Sequence, residues 1–292
     1  MASYNNTFQR KEVKYRLSPR QLRAILAAIE GHMKIDRYGD TVIESRYYDT
    51  PCRELIERSL DKPLYKEKLR LRSYGPFAQA DIVYVELKKK YKGIVYKRRI
   101  GMSKAAAESF MAGMDFEEAA MRYPLADAAL QTELLSAHGR QIAAEIRAFC
   151  LRYPGLVPSM DISVVRRSYE PASHAASSIV TLQGAPSTDL RITFDMQMRG
   201  RDLMRDGLPT YELAGRGEAV MEIKSAGSYP LWLVEALSAH KIYPQSFSKY
   251  GEAYRQSFKP APAKPATPVA IALTTAANVA VLKGSASCLK AS

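Results

Sequence analysis

The stretch KEKLRLRSY at residues 66–74 decides the reading of this chain. Side chains along a β-strand point alternately to opposite faces. A strand here puts Lys68, Arg70, Arg72 and Tyr74 on one face and Leu69, Leu71 and Ser73 on the other. The next run, IVYVELKKK at 82–90, sets Tyr84, Glu86, Lys88 and Lys90 against Val83, Val85 and Leu87. Residues 10–17 oppose Glu12 and Lys14 to Val13, Tyr15 and Leu17, and residues 220–225 oppose Glu222 and Lys224 to Met221 and Ile223. Residues 191–199 oppose Arg191, Thr193, Asp195, Gln197 and Arg199 to Ile192, Phe194, Met196 and Met198.

Each of these strands is half charged and half apolar. A two-layer sheet with one wet face satisfies that pattern. So does a closed barrel with its charged faces inside and its apolar faces under helices. The composition favours the barrel: three polar faces carry Glu-x-Lys and one carries Lys-x-Arg-x-Arg, where a solvent face would hold more Thr, Ser and Gln. Two cations ~4 Å apart repel by roughly 4 kcal/mol at an effective dielectric near 20. A channel of this kind therefore needs interleaved carboxylates and a polyanionic ligand, and carboxylate oxygens also suit a hard divalent cation.

Further runs of period two at 42–49, 94–100 and 160–169 bring the expected strands to eight. Ser18-Pro19 opens a helix as cap and first-turn proline, and Pro230 opens another over LWLVEALSAH. Residues 104–118 and 125–151 read as helices rich in Ala, Leu and Glu. The expected class is α+β, an eight-stranded antiparallel β-barrel with a charged interior wrapped by α-helices. Residues 1–258 form the expected domain. Residues 259–292, rich in Ala and Pro and without an aromatic residue, read as a disordered tail.

Of the net charge of +13, residues 66–104 contribute +9 and residues 259–292 contribute +4, so the rest of the 292-residue chain is neutral. That block predicts an anionic partner: nucleotide, polyphosphate, nucleic acid or acidic lipid. No apolar run reaches 18 residues, which excludes a spanning helix, and no apolar stretch follows the N-terminus as a secretory signal would. Cys52, Cys150 and Cys288 lie far apart, without a CxxC pair, so neither a zinc site nor a disulfide framework is expected. A cytoplasmic location is the expectation. The phosphate-cradling GxxxxGK[ST] and the nucleophilic GxSxG are both absent. The four histidines have no ligand spacing.

Taken in order, FQRKEVKYRL, SRYYDT, KLRLRSYG, VYVELKKK, VYKRR, VVRRSYE, LRITFD, VMEIKS and SFSKYGEAY resemble the VTC domain. This is the polyphosphate polymerase domain of the triphosphate tunnel metalloenzymes, related to the CYTH proteins. The resemblance runs from about Phe8 to Tyr254. It implies an eight-stranded tunnel that grips ATP and inorganic polyphosphate or triphosphate, aided by Mn²⁺ or Mg²⁺. It also implies transfer of the ATP γ-phosphate onto a growing polyphosphate chain.

Carried over by position, the catalytic set is Arg70, Arg72, Lys88 and Glu222. The phosphate and nucleotide contacts are Lys14, Arg70, Arg72, Lys88, Lys97, Arg99, Arg167, Arg191, Lys224 and Lys249. Arg98 competes with Arg99, and Arg166 with Arg167. Glu222 is the implied metal ligand, with Glu12 and Glu86 as further carboxylate candidates. Tyr47 and Asp49 of SRYYDT read as structural. A triphosphatase of the same fold, and a non-catalytic polyphosphate or nucleotide sensor, use the same tunnel. Nucleic-acid binding is the weaker reading: Tyr74, Tyr84, Tyr91 and Tyr96 could stack bases, but their strand positions favour packing.

Overall fold

Strand alternation and helix caps divide the chain much as the sequence predicts. The computed structural model describes residues 11–92, 94–172, 190–205, 207 and 209–258. The segment read as a tail and His174 lie outside the described residues. The strands are β1 (Lys11–Leu17), β2 (Met33–Asp49), β3 (Tyr65–Tyr74), β4 (Ile82–Tyr91), β5 (Ile94–Ser103), β6 (Val157–Pro171), β7 (Arg191–Asp202), β8 (Tyr211–Glu212) and β9 (Ala219–Ser225). The helices are α1 (Pro19–Ile29), α2 (Glu54–Leu60), α3 (Lys104–Met111), α4 (Phe116–Arg122), α5 (Ala128–Leu134), α6 (Ala137–Arg152), α7 (Leu231–Ala239) and α8 (Lys249–Ser257).

The helix starts are local chemistry. Ser18 caps α1 in a reciprocal box with Gln21. Two expected long helices are each broken. Gly113, at φ +110°, ends the turn after α3, and Asp115 restarts the chain as the cap of α4. Ser136 caps α6 immediately after α5.

The eight long strands form one antiparallel sheet in the order β1-β9-β7-β6-β2-β3-β4-β5, with β8 alongside β7. The sheet curls strongly. Lys88, on β4 near one end of that order, interacts electrostatically with Glu12 and Lys14 of β1 and Glu222 of β9 at the other. Strands β1 and β5 are the two ends of the order, so the barrel is half-closed rather than laced by backbone hydrogen bonds all the way round.

Three apolar clusters hold the curl. The outer faces of β3–β5 (Leu69, Leu71, Val83, Val85, Leu87) pack under α3–α6 through Phe110, Ile142, Ile146 and Phe149. The outer faces of β1, β7 and β9 (Tyr15, Leu17, Ile192, Phe194, Met221, Ile223) pack under α1 and α7 through Ile25, Ile29, Leu233 and Leu237. The third cluster involves the concave side: Tyr47 of β2, Met160, Ile162 and Val164 of β6 and Val220 of β9 meet Tyr250 and Ala253 of α8. The interior is therefore charged along β1, β3, β4, β5 and β9 and around Asp195 of β7 and Arg166 of β6, with an apolar patch where Tyr250 and Ala253 of α8 pack. Burying each large aliphatic side chain is worth roughly 1.5–3 kcal/mol, and that term offsets the repulsion among the interior cations. Among the described residues, no helix is long and apolar enough to cross a membrane.

Candidate functional site

Antiparallel register places Arg70 opposite Glu86, and Glu86 opposite Arg99. Glu86 is 1% exposed and works as a hub. Its Oε2 accepts from Arg70 Nε at 2.8 Å and Nη2 at 2.7 Å, and Lys97 Nζ lies 2.7 Å from Oε1. Arg72 and Arg99 approach its two oxygens at 3.8 Å each. Burial alone would raise the pKa of this carboxyl, but Arg70, Arg72 and Lys97 outweigh burial and bring it down to about 2. One carboxylate cannot neutralise four cations, so the cluster stays positive.

Arg70 has a second anchor. Its Nη1 donates to the hydroxyl of Tyr47 at 2.9 Å, and the Tyr47 ring stacks on Tyr250 of α8 with centroids 4.5 Å apart. Burial opposes ionisation of Tyr47, yet Arg70, Lys68 and Arg72 together lower its pKa to about 7. Lys68, one turn of the alternation from Arg70, donates to Ser248 Oγ at 2.9 Å. Burial, reinforced by Lys66, Lys88 and Lys14, lowers its ammonium pKa to about 8.

Across the channel, β1 and β9 pair Lys14 with Glu222 and Glu12 with Lys224 in register. Lys224 Nζ lies 2.8 Å from Glu222, and Lys14 Nζ lies 3.1 Å from Glu12 and 3.8 Å from Glu222. Burial works against the Glu222 charge, but Lys224 and Lys14 hold the carboxyl down at about 2. Lys88 is shifted down chiefly by burial. A third ion cluster centres on Asp195 of β7, 1% exposed. Arg166 grips it with two bonds, at 2.7 Å and 2.8 Å, and Lys249 at the start of α8 binds the same Oδ2 that accepts from Arg166 Nη2. These two cations hold Asp195 well below the usual carboxylate range despite its burial.

The structure thus brings together Lys14, Arg70, Arg72, Lys88, Lys97, Arg99, Lys224 and Lys249 with Glu12, Glu86 and Glu222. The two adjacent-residue choices resolve in opposite ways. Arg99 faces Glu86, whereas Arg98 binds Glu145 of α6 on the outside, at 3.1 Å. Arg166 faces Asp195, whereas Arg167, the residue carried over from the resemblance, is paired with Asp40 at 2.6 Å outside the cluster. The reason is register: Arg166 stands opposite Asp195, which puts its neighbour on the other face. Arg191 stands opposite Lys224, half exposed, and its guanidinium is held by the buried Asp36 at 2.7 Å. Lys68 and Asp195 are members the sequence did not single out, Tyr47 was read as structural, and Arg166 was the competitor of Arg167. Lys68 was visible on the face of Arg70 and Arg72. Asp195 was visible on the face of Arg191, but its partner Lys249 lies 54 residues away.

Among the described residues, no group of three or more His, Cys, Asp or Glu side chains could hold a metal ion alone. Small hard cations commonly take one or two protein carboxylates and fill their shell with phosphate and water oxygens. Glu222 and Glu12, flanking Lys14, fit that donor set. Glu86 does not: its oxygens are committed to four cations.

The site is thus a concave, cation-rich face on a curled antiparallel sheet, with Glu12, Glu86, Asp195 and Glu222 set among the cations. Residues 9–258 match the VTC domain model, and the chain belongs to that family. A search of curated proteins returned no match. Among solved structures, the chain is similar to a candidate adenylate cyclase of Bacillus halodurans at 13% identity and TM-score 0.41, covering 81% of this chain and 92% of that one. A candidate adenylate cyclase of Vibrio parahaemolyticus matches at 11% identity and TM-score 0.38, over 84% and 97% of the two chains. A protein of Pyrococcus horikoshii matches at 11% identity and TM-score 0.35, over 85% and 99%.

Proposed function

We propose that the chain is a metal-dependent phosphotransferase that moves the γ-phosphate of ATP onto the end of an inorganic polyphosphate chain. The observation that supports this is the excess of cations over carboxylates on the concave face, held in place by the buried Glu86, Asp195 and Glu222. Phosphoryl transfer asks for positioning and charge stabilisation more than for covalent chemistry. Arg70 and Arg72 present planar forks suited to two phosphate oxygens each. Glu86 and Tyr47 fix Arg70 before substrate arrives, and Asp195 fixes Arg166 and Lys249, so little reorganisation remains for the reacting state. Lys14 and Lys224 neutralise charge from the opposite wall, and Lys88 from the strand beside Arg70.

An oxygen of the terminal phosphate of the acceptor attacks the γ-phosphorus. The bond from that phosphorus to the β-bridging oxygen breaks, ADP leaves, and the chain is one phosphate longer. A Mn²⁺ or Mg²⁺ ion held by Glu222 and Glu12 would add charge neutralisation at the phosphates. The test is incubation of the protein with ATP and Mn²⁺, with products resolved on a polyphosphate-stained gel and ADP measured. The expected result is a polymer ladder with matching ADP. Free phosphate without polymer would replace this reading with a hydrolase, and no turnover would leave a sensor.

A further inference from the structure

The interior of β3–β5 has a direction. Along β3 it runs Lys66, Lys68, Arg70, Arg72 and then Tyr74, and along β4 it runs Lys90, Lys88, Glu86 and then Tyr84. The cations stop and two aromatic rings begin. Tyr74 and Tyr84 meet edge to face with centroids 5.7 Å apart, and Tyr74 is 48% exposed. Arg99 joins this pair to the phosphate-facing cluster. Its guanidinium carbon lies 3.8 Å from the centre of the Tyr84 ring, its Nη1 donates to Tyr74 at 3.2 Å, and the same nitrogen lies 3.8 Å from Glu86. Gly101, opposite Tyr84, makes room: a Cβ there would stand 3.1 Å from the ring.

Resting on the triphosphate reading above, we propose that Tyr74, supported by Tyr84 and Arg99, is a nucleobase platform. It would bind the purine of a nucleoside triphosphate whose phosphates lie on Arg72, Arg70 and the lysines beyond. Tyr74 stands two residues past Arg72, ~7 Å along the strand, which leaves room for a sugar between ring and cations. An aromatic face beside a fixed guanidinium plane stacks a base by its π-surface rather than by reading its edge. ATP and GTP therefore bind alike, and both bind more tightly than tripolyphosphate. The base fixes which end of the ligand is the leaving nucleotide, and the acceptor chain approaches from the lysine end.

The test is calorimetric titration of the full chain with ATP, GTP and tripolyphosphate in metal-free buffer, which suppresses turnover. Tyr74→Ala is expected to weaken ATP and GTP about tenfold and to leave tripolyphosphate within about twofold of wild type. Tyr74→Phe, which keeps the ring and loses the bond from Arg99, should bind ATP as wild type does. Equal losses for all three ligands, no loss at all, or a Phe variant as weak as the Ala variant would overturn the platform. If tripolyphosphate itself fails to bind the wild-type protein, it is the triphosphate reading that falls.

Discussion

Replacing Lys68 with methionine should make the empty protein more stable and the phosphate grip weaker. Lys68 is a half-buried ammonium on the face of Arg70 and Arg72, bonded to Ser248 Oγ and surrounded by Lys66, Lys88 and Lys14. Its pKa falls from 10.5 to about 8. The unfolded chain thus binds this proton more tightly than the folded one, and at pH 7 the difference destabilises the fold by about 3 kcal/mol. Methionine fills a similar volume without the charge and loses one hydrogen bond worth about 1 kcal/mol. The net gain is about 2 kcal/mol, or a rise in Tm of about 4–8 °C for a domain of this size. The gain has a pH signature. As pH rises through 8, wild-type Lys68 sheds its proton in the folded state, so by about pH 10 the penalty has shrunk to roughly 1 kcal/mol and the advantage of the variant has closed. Scanning calorimetry in phosphate-free buffer at pH 7 and pH 10, with tripolyphosphate titrations alongside, reads both effects. A variant that melts at or below wild type at pH 7 would refute the reasoning, as would unchanged tripolyphosphate affinity.

Glu222→Gln should keep the fold and lower metal-dependent turnover by at least about a hundredfold, since it removes a carboxylate charge from the β1–β9 wall proposed to hold the divalent ion; wild-type turnover would remove Glu222 from that role. Arg166→Ala should weaken tripolyphosphate about 10- to 100-fold, the worth of a charge-assisted bond, while Arg167→Ala stays within about twofold. The reverse order would mean the register of β6 is wrong. Tyr47 should ionise near pH 7, visible as phenolate absorbance that Tyr47→Phe lacks, and its stabilising contribution should be lost as pH falls through 7. Bound tripolyphosphate should raise that midpoint by adding negative charge nearby, and a protein with no tyrosine ionising below about pH 9 would contradict the cluster geometry.

The strands were legible where alternation holds, as in β1, β3, β4 and β9, and the charged interior left its signature in three Glu-x-Lys pairs. What alternation could not give was the near half of β2. Residues 33–41 contain Asp36 and Gly39, and the register with β6 shifts between Ile35 and Asp40. Helix α2 begins at Arg53 in the left-handed region and takes its start from the buried Asp49, which accepts from the backbone of Leu55 and Ile56. That anchoring is a tertiary fact with no cap residue in sequence, although it agrees with a structural role for Asp49. The choice between Arg98 and Arg99 follows from pairing with Glu86, and the choice between Arg166 and Arg167 from pairing with Asp195. Neither register is visible until two strands are laid side by side. The role of α8 was hidden for the same reason: Lys249, Tyr250 and Ser248 reach Asp195, Tyr47 and Lys68 across more than fifty residues of chain.

The central claim is that the concave face is a grip for a phosphate chain. Thermal melting with and without tripolyphosphate, in wild type and in the Arg70→Ala/Arg72→Ala double variant, tests it most directly. The account predicts that tripolyphosphate at about a thousand times its Kd stabilises wild type by roughly 4 kcal/mol and that the double variant loses most of this shift at the same concentration. A wild-type Tm insensitive to tripolyphosphate, or an equal shift in both proteins, would contradict it.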